Sequence, residues 1–237
     1  MGLPCPSYGI HDDSVAGPFG GHATLADGLV SYWTLDEASG TRSDSVVASG
    51  NDLTDNNTVG SATGIFNNAA SFVAANNESL NNAALAALIG ADAAITITAW
   101  VNFSDGLRHT IVDSGGDGDI YLRAGQDPNG AQFTVKGFTV SAGVASGSIP
   151  SQGVWYLLIA SYDPATDTAS VSVDAGTPAT ASGGPNGTPA DFIIGNRTGN
   201  IDPMQGLIDE AAIWSRVLTA QERTDLYNGG VGLFYLD

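Results

Sequence analysis

The stretch "GLIDEAAIWSRVLTAQERTDLYNGG", Gly206 to Gly230, holds two patterns in one run. "GLIDEAAIW" is apolar except for Asp209 and Glu210 and reads as a strand. "TAQERTDLYNGG" opens with Thr219, followed three positions later by Glu222. At that spacing hydroxyl and carboxylate cap each other's backbone N–H groups at a helix start. Asn228 and Gly229 suit its C-terminal end. The segment therefore predicts a strand followed by a short helix, packed through Leu218, Leu226 and Tyr227. The acidic pair poses a question, because a buried carboxylate without a partner is costly. Neighbours on a strand point to opposite faces. That phasing puts Asp209 with Leu207, Ala211 and Ile213, and Glu210 with Ile208, Ala212 and Trp214. The two carboxylates are thus not expected to form one acid/base dyad. Asp209 is expected to meet a cation or loop amides from the Asp44 region, and Glu210 a backbone donor or Arg216.

Outward from this segment the chain reads as strands broken by Gly, Asn and Asp clusters. "LVSYWTL" (29–35) alternates, and "AASFV" (69–73) is short and apolar. "AITITAWVNF" (94–103) alternates strongly, with Ile95, Ile97, Ala99 and Val101 on one face and Thr96, Thr98, Trp100 and Asn102 on the other. Further runs are 109–113, 119–124, 131–140, 154–163, 168–175 and 191–196. "DSGGDGD" (113–119) and "DPATD" (163–167) read as hairpin turns, and residues 40–64 as a long loop. About eleven short strands without alternating helices indicate an all-β, two-sheet antiparallel jelly-roll sandwich with one C-terminal helix. Residues 1–28, rich in Gly, Pro and Asp, read as an extended arm for attachment or linkage. Residues 29–237 read as the domain. The apolar tail "VGLFYLD" (231–237) is expected to pack on the arm or to meet a partner.

The chain has 237 residues, with 25 acidic against 7 basic ones, a formal net charge of −18. Such a balance repels phosphate backbones and anionic membrane surfaces, so neither nucleic acid nor membrane is expected as a partner. Cys5 is the single cysteine, so no intrachain disulfide can form. No apolar run is long enough to span a bilayer. Residues 1–21 lack the basic and apolar regions of a secretory signal. Pro6 breaks the myristoylation pattern. These N-terminal features fit either the mature product of a longer precursor or a protein made in the cytosol that leaves by another route, such as a virus particle released by lysis, and Met1 favours the second expectation.

Hydrolytic chemistry finds little support. The four glutamates (Glu37, Glu78, Glu210, Glu222) never show the Glu-x-Asp-x-Glu spacing that aims three carboxylates into one cleft. His11, His22 and His109 lie far apart, and no nucleophile elbow, His-Glu-x-x-His or phosphate loop is present. Residues 113–119 resemble a calcium loop but miss the EF-hand spacing. Trp33, Trp100, Trp155 and Trp214 all fall on strands and are expected in the core rather than as sugar platforms.

Three stretches together resemble a known family: "LVSYWTLDEASGTRSDSVVASGNDLTDNN", "ITITAWVNF" and the opening segment. The chain is similar to the laminin-G-like, concanavalin A-like jelly-roll domain over about residues 29–232. That resemblance implies two antiparallel sheets with first and last strands side by side. It also implies a structural Ca²⁺ near their seam, with Asp44 and Asp209 as its metal ligands. The family is mostly a recognition module for carbohydrate or protein.

These readings lead to the expectation of a non-enzymatic recognition or structural module. The setting expected is a phage virion component, such as a head decoration, fibre or tail-associated protein. It would sit on the virion exterior, bind glycans and dock to virion proteins through its arm. A homo-oligomer is compatible by analogy. The alternative is an extracellular or cell-surface lectin-like adhesin module of a bacterium, and a glycoside hydrolase fits least.

Overall fold

A computed structural model of the chain describes residues 18–89, 92–115, 120–125, 131–135, 138–142, 151–183 and 189–235. The strands are β1 (Leu29–Trp33), β2 (Thr54–Asn56), β3 (Gly60–Thr63), β4 (Asn68–Phe72), β5 (Ser79–Asn81), β6 (Ile95–Phe103), β7 (His109–Asp113), β8 (Tyr121–Ala124), β9 (Ala131–Val135), β10 (Phe138–Ala142), β11 (Trp155–Asp163), β12 (Thr168–Val173), β13 (Ala179–Ser182), β14 (Ile193–Ile194) and β15 (Gly206–Trp214). The α-helices are α1 (Ala23–Ala26), α2 (Ala86–Ile89) and α3 (Ala220–Tyr227). None is long and apolar enough to cross a membrane.

Two antiparallel sheets form the sandwich. One has eight strands in the order β13-β12-β11-β6-β15-β4-β3, with β1 also paired to β15; the other has seven, β10-β9-β8-β7-β14-β5-β2. First and last strands lie side by side, Tyr32 opposite Ala212 and Trp33 opposite Ala211. The alternation of β6 holds: Ile95, Ile97, Ala99 and Val101 enter the core between the sheets, where Ile208, Ile213, Leu80, Ile111, Leu122 and Ile194 meet them. Trp100 faces the other way. Trp33 and Trp214 are fully buried, Trp100 nearly so, and Trp155 half-buried.

β2 and β3 arise inside the expected loop 40–64, β5 and β13 where no strand is expected, and the run 131–140 divides into β9 and β10. These short segments are rich in Asn, Ser, Gly and Ala, residues without strand preference. Their neighbours' unpaired backbone groups recruit them, so tertiary context decides. Arg42 explains how the loop 40–60 is held. Its side chain is fully buried, and its guanidinium donates to the carbonyls of Val59 and Gly60 at 2.9 and 3.2 Å.

The capping box at α3 forms as read. Glu222 N–H donates to Thr219 Oγ1 (3.2 Å) and Thr219 N–H to Glu222 Oε2 (2.8 Å), while Asn228 ends the helix in the left-handed region. Arg216 takes a role the sequence did not announce. It grips Glu222 with two bonds of 2.8 and 2.7 Å and donates to the carbonyls of Asp27 and Thr24, both at 2.6 Å. It therefore ties the helix to residues 24–27. Residues 18–28, expected to be extended, are folded onto the sandwich, with Phe19 and Leu25 fully buried. The rest of the arm, with Cys5 and His11, lies outside the described residues. The tail packs on this segment, Tyr235 making edge contact with Phe19 at 5.5 Å between centroids.

The Arg216 fork holds the Glu222 carboxyl below its ordinary range, at about 2. Its contribution is present above pH 4.5 and is lost as pH falls toward 2. Arg216→Ala should cost about 2 kcal/mol through lost charge-assisted bonds. Thr219→Ala should cost about 1 kcal/mol. Urea melts at pH 7 and pH 3 test both: equal Arg216→Ala losses at the two pH values would contradict the ion-pair account.

Candidate functional site

The two sheets present unlike outer faces. That of the eight-stranded sheet is covered over its central strands. Tyr32, Trp100, Leu157, Ile159, Ala212 and Trp214 are covered by Phe19, Leu25, Leu218 and Leu226, with Phe234 and Tyr235 of the tail packed alongside. Trp100 stacks on Tyr227 of α3 at 6.0 Å, and Trp214 Nε1 donates to the Leu25 carbonyl at 2.8 Å. The cover leaves β13 at the edge exposed, with Thr180 and Ser182 facing solvent.

Asp209 and Glu210 sit beneath that cover. β15 pairs with β4 over residues 206–208 and with β1 over 211–214, and changes partner at the acidic pair. The register with β6 slips between Asp209 and Ala212, and Glu210 takes φ 49°. This is a β-bulge, and a left-handed non-glycine residue there costs about 1 kcal/mol or more. The bulge overturns the opposite-face phasing. Asp209 stands opposite Trp100, and Glu210 accepts from the Tyr32 hydroxyl, so both carboxylates serve the outer layer. Arg216, the arginine expected at Glu210, forms its charged pair with Glu222. Asp209 is fully buried and accepts from the amides of Ile65 (2.9 Å), Phe66 (3.3 Å) and Glu210 (3.0 Å). Burial pushes its carboxyl up to about 8, against the opposing pull of those amides. Gly64 makes room for it, because a β-carbon there would overlap Asp209 Oδ2 and the Asn68 carbonyl. Loop amides therefore satisfy Asp209, but they belong to residues 65–66 rather than to the Asp44 region.

Asp44 is engaged elsewhere. Its Oδ1 accepts from the amides of Tyr32 (3.0 Å) and Val46 (2.9 Å), and its Oδ2 from the Ser49 hydroxyl. Asp44 Oδ1 and Asp209 Oδ2 each accept two N–H groups, which fills both lone pairs of those oxygens with donors rather than a cation. As folded, Asp44 and Asp209 do not fit a shared calcium site. Among the described residues no group of three or more His, Cys, Asp or Glu is placed to hold a metal ion. Asp113, first residue of the calcium-like loop, accepts from the amides of Gly115 and Thr198, both at 3.1 Å, and burial raises its carboxyl. The rest of that loop, 116–119, lies outside the described residues.

The seven-stranded sheet is open at its β2 edge. A polar groove of about 390 Å³ runs there, lined by Asp52, Thr54, Asn56, Asn81, Asn82, Ala83 and Asp191. Pairing of β2 with β5 sets Thr54 opposite Asn81. Asn81 is the hub. Its Oδ1 accepts from Asn56 Nδ2 (3.0 Å) and Ser79 Oγ (2.8 Å), and its Nδ2 donates to Asp191 Oδ2 (2.8 Å). Asn82 donates to the Asp52 carbonyl (2.9 Å) and accepts from Ala84 N–H (2.9 Å). These side chains are held in fixed orientations before any ligand arrives. Sequence reading did not find this site, because Asn56 and Asn81 fall in segments without a strand pattern, where asparagine is common and carries no signal.

The comparisons with known proteins agree with this architecture. A family model described as the concanavalin A-like lectin/glucanases superfamily, of the third laminin G type, matches residues 67–222. No curated protein sequence matches the chain. Among solved structures the fold is similar to domain 4 of AbnA, an extracellular GH43 arabinanase from Geobacillus stearothermophilus, in complex with arabinotriose. The TM-score is 0.59 at 20% identity, covering 83% of this chain and 97% of that one. It is similar to the binding domain of Paraclostridial Mosquitocidal Protein 1, with TM-score 0.68 at 12% identity over 87% of this chain and 53% of that one. It is also similar to Trypanosoma rangeli sialidase, with TM-score 0.59 at 17% identity over 86% of this chain and 33% of that one. The chain thus spans about half of the mosquitocidal binding domain and a third of the sialidase. The fold occurs both in binding domains and within glycosidases.

Asp209, raised from 3.8 to about 8, contributes stability that is full below pH 3.8 and is lost as pH rises toward 8. Asp209→Asn keeps the shape and removes the titration. The difference in Tm between the natural protein and this variant should therefore shrink by several degrees between pH 4 and pH 8. A gap that ignores pH would refute the assignment. The donor sets around Asp44 and Asp209 further predict that EDTA leaves Tm unchanged. A fall on chelation, reversed by calcium, would reinstate both as metal ligands.

Proposed function

This chain belongs to the concanavalin A-like lectin/glucanases superfamily, and we propose that it acts as a non-catalytic recognition domain that binds carbohydrate in the Asn81 groove. The observation that carries this reading is the contrast between the two faces. One is covered over its central strands by helix, N-terminal segment and tail, and the other offers oriented amides and carboxylates to solvent at its β2 edge. Sugar hydroxyls donate and accept at once, and fixed amide and carboxylate groups complement them. The arabinotriose held by the AbnA domain supports the class of ligand.

A net charge of −18 suits display on an exterior surface. The setting we propose is a phage virion component, with many copies raising weak affinity into avidity. Its alternative is a secreted or surface adhesin module of a bacterium. Purified particles carrying the chain at fixed copy number would support the first setting. Its recovery only from bacterial surfaces or medium would support the second.

One observation favours a hydrolytic reading: Asp52 and Asp191 both line the groove, and glycosidases work with two carboxylates. Against it, Asp52 Oδ1 accepts from Asp44 N–H, and both oxygens of Asp191 accept hydrogen bonds. Neither is arranged as a proton donor to a leaving group.

Asn81→Ala should abolish glycan-array binding at millimolar sugar while lowering Tm by only a few degrees, since about three modest hydrogen bonds are lost. An array without hits for the natural protein would end the carbohydrate reading. Release of reducing ends from a bound oligosaccharide would make the domain an enzyme.

A further inference from the structure

The groove's donor and acceptor balance carries the proposed function one step further. Asn56 Nδ2 already donates to the Thr54 carbonyl (3.3 Å) and to Asn81 Oδ1 (3.0 Å), which leaves its Oδ1 as the group it can offer a ligand. Asp191 accepts from Phe192 N–H on Oδ1 (2.8 Å) and from Asn81 on Oδ2 (2.8 Å). A carboxylate has about four acceptor positions, so roughly two on Asp191 remain for a ligand. Asp52 Oδ1 takes Asp44 N–H at 2.9 Å and leaves Oδ2 to the groove. What the groove offers is therefore mostly acceptors, much of it from the two carboxylates Asp52 and Asp191. No lysine or arginine is among its lining residues.

A ligand matched to such a surface must bring donors. A hydroxyl does, whereas a carboxylate or sulfate group brings only acceptors and a like charge. Setting unpaired charge against the wrong ligand is a recognised source of specificity. We propose that the groove takes uncharged oligosaccharides and rejects acidic ones, and that Asp191 is the residue that sets this choice. Asp191 fits the role better than Asp52 because it is bonded to the hub: the Asn81 amide orients it, and Asn56 and Ser79 orient Asn81. The inference rests on the carbohydrate reading above and adds to it the charge class of the ligand.

The test measures the full chain by calorimetry against two size-matched sets. One holds uncharged arabino-, gluco- and manno-oligosaccharides, and the other oligogalacturonates and sulfated oligosaccharides. The expected result is binding within the uncharged set, with acidic ligands weaker by about tenfold or more at about 0.01 M salt. The discrimination should shrink toward about 1 M salt as the Debye length falls from about 30 to about 3 Å. Asp191→Asn should narrow the discrimination to within about threefold at low salt by removing the local charge. Asn56→Ala, on the exposed edge strand, should weaken uncharged ligands and leave the salt dependence of the discrimination in place. Should Asp191→Asn fail to fold, the salt series on the natural protein still decides. Acidic ligands bound as tightly as uncharged ones, with both lost in Asn56→Ala, would overturn the selectivity and leave carbohydrate binding standing. No binding in either set would overturn both.

Discussion

The closing strand β15 must hydrogen-bond on both edges, yet the neighbour on one edge changes halfway along. β4 serves residues 206–208 and β1 serves 211–214, while β6 runs along the other side. At such a handover the backbone is left without ladder partners on one side, and buried polar groups left unmade cost more than most contacts return. Asp209 and Glu210 stand at this gap. Asp209 draws in the amides of the turn that leads into β4, and Glu210 engages Tyr32 of β1. The acidic pair thereby joins the last strand to both of its successive partners. The cost is a strained φ and a carboxyl held well above its ordinary range by burial.

This closure decides which side of the sandwich can work. Because first and last strands pair, the residues before β1 and after β15 emerge on the same outer face, and their aromatic and aliphatic side chains cover it. Arg216 fixes the arrangement by holding helix α3 and residues 24–27 in one fork. Three of the four tryptophans belong to this cover or to the core, and their burial removes them as sugar platforms. The polar groove lies on the other sheet. At its β2 edge the polar side chains of short, Asn-rich strands stay in the open.

Strongly perturbed acids often mark active sites, but here they mark architecture. Asp209 caps a turn, and Asp113 caps the loop at Thr198, each with backbone amides. The groove's own carboxylates serve as oriented acceptors. The same fold appears in sialidase and arabinanase chains.

By itself, the sequence determined whatever depends on local periodicity and spacing. The alternation of 95–103, the strand 206–214 and the Thr219–Glu222 box all formed where the pattern set them, because neighbouring residues alone dictate side-chain direction and cap geometry. Three things were decided only by the tertiary structure. The short strands β2, β3, β5 and β13 exist because neighbouring strands offered unpaired backbone, which composition cannot reveal. The bulge at Glu210 reversed the facing of one carboxylate, because a change of partner strand is a long-range event. The groove gathers Asp52, Asn56, Asn81 and Asp191 across about 140 positions of chain. A binding surface depends on which side chains share a face, and that is set by strand order and register rather than by distance along the chain.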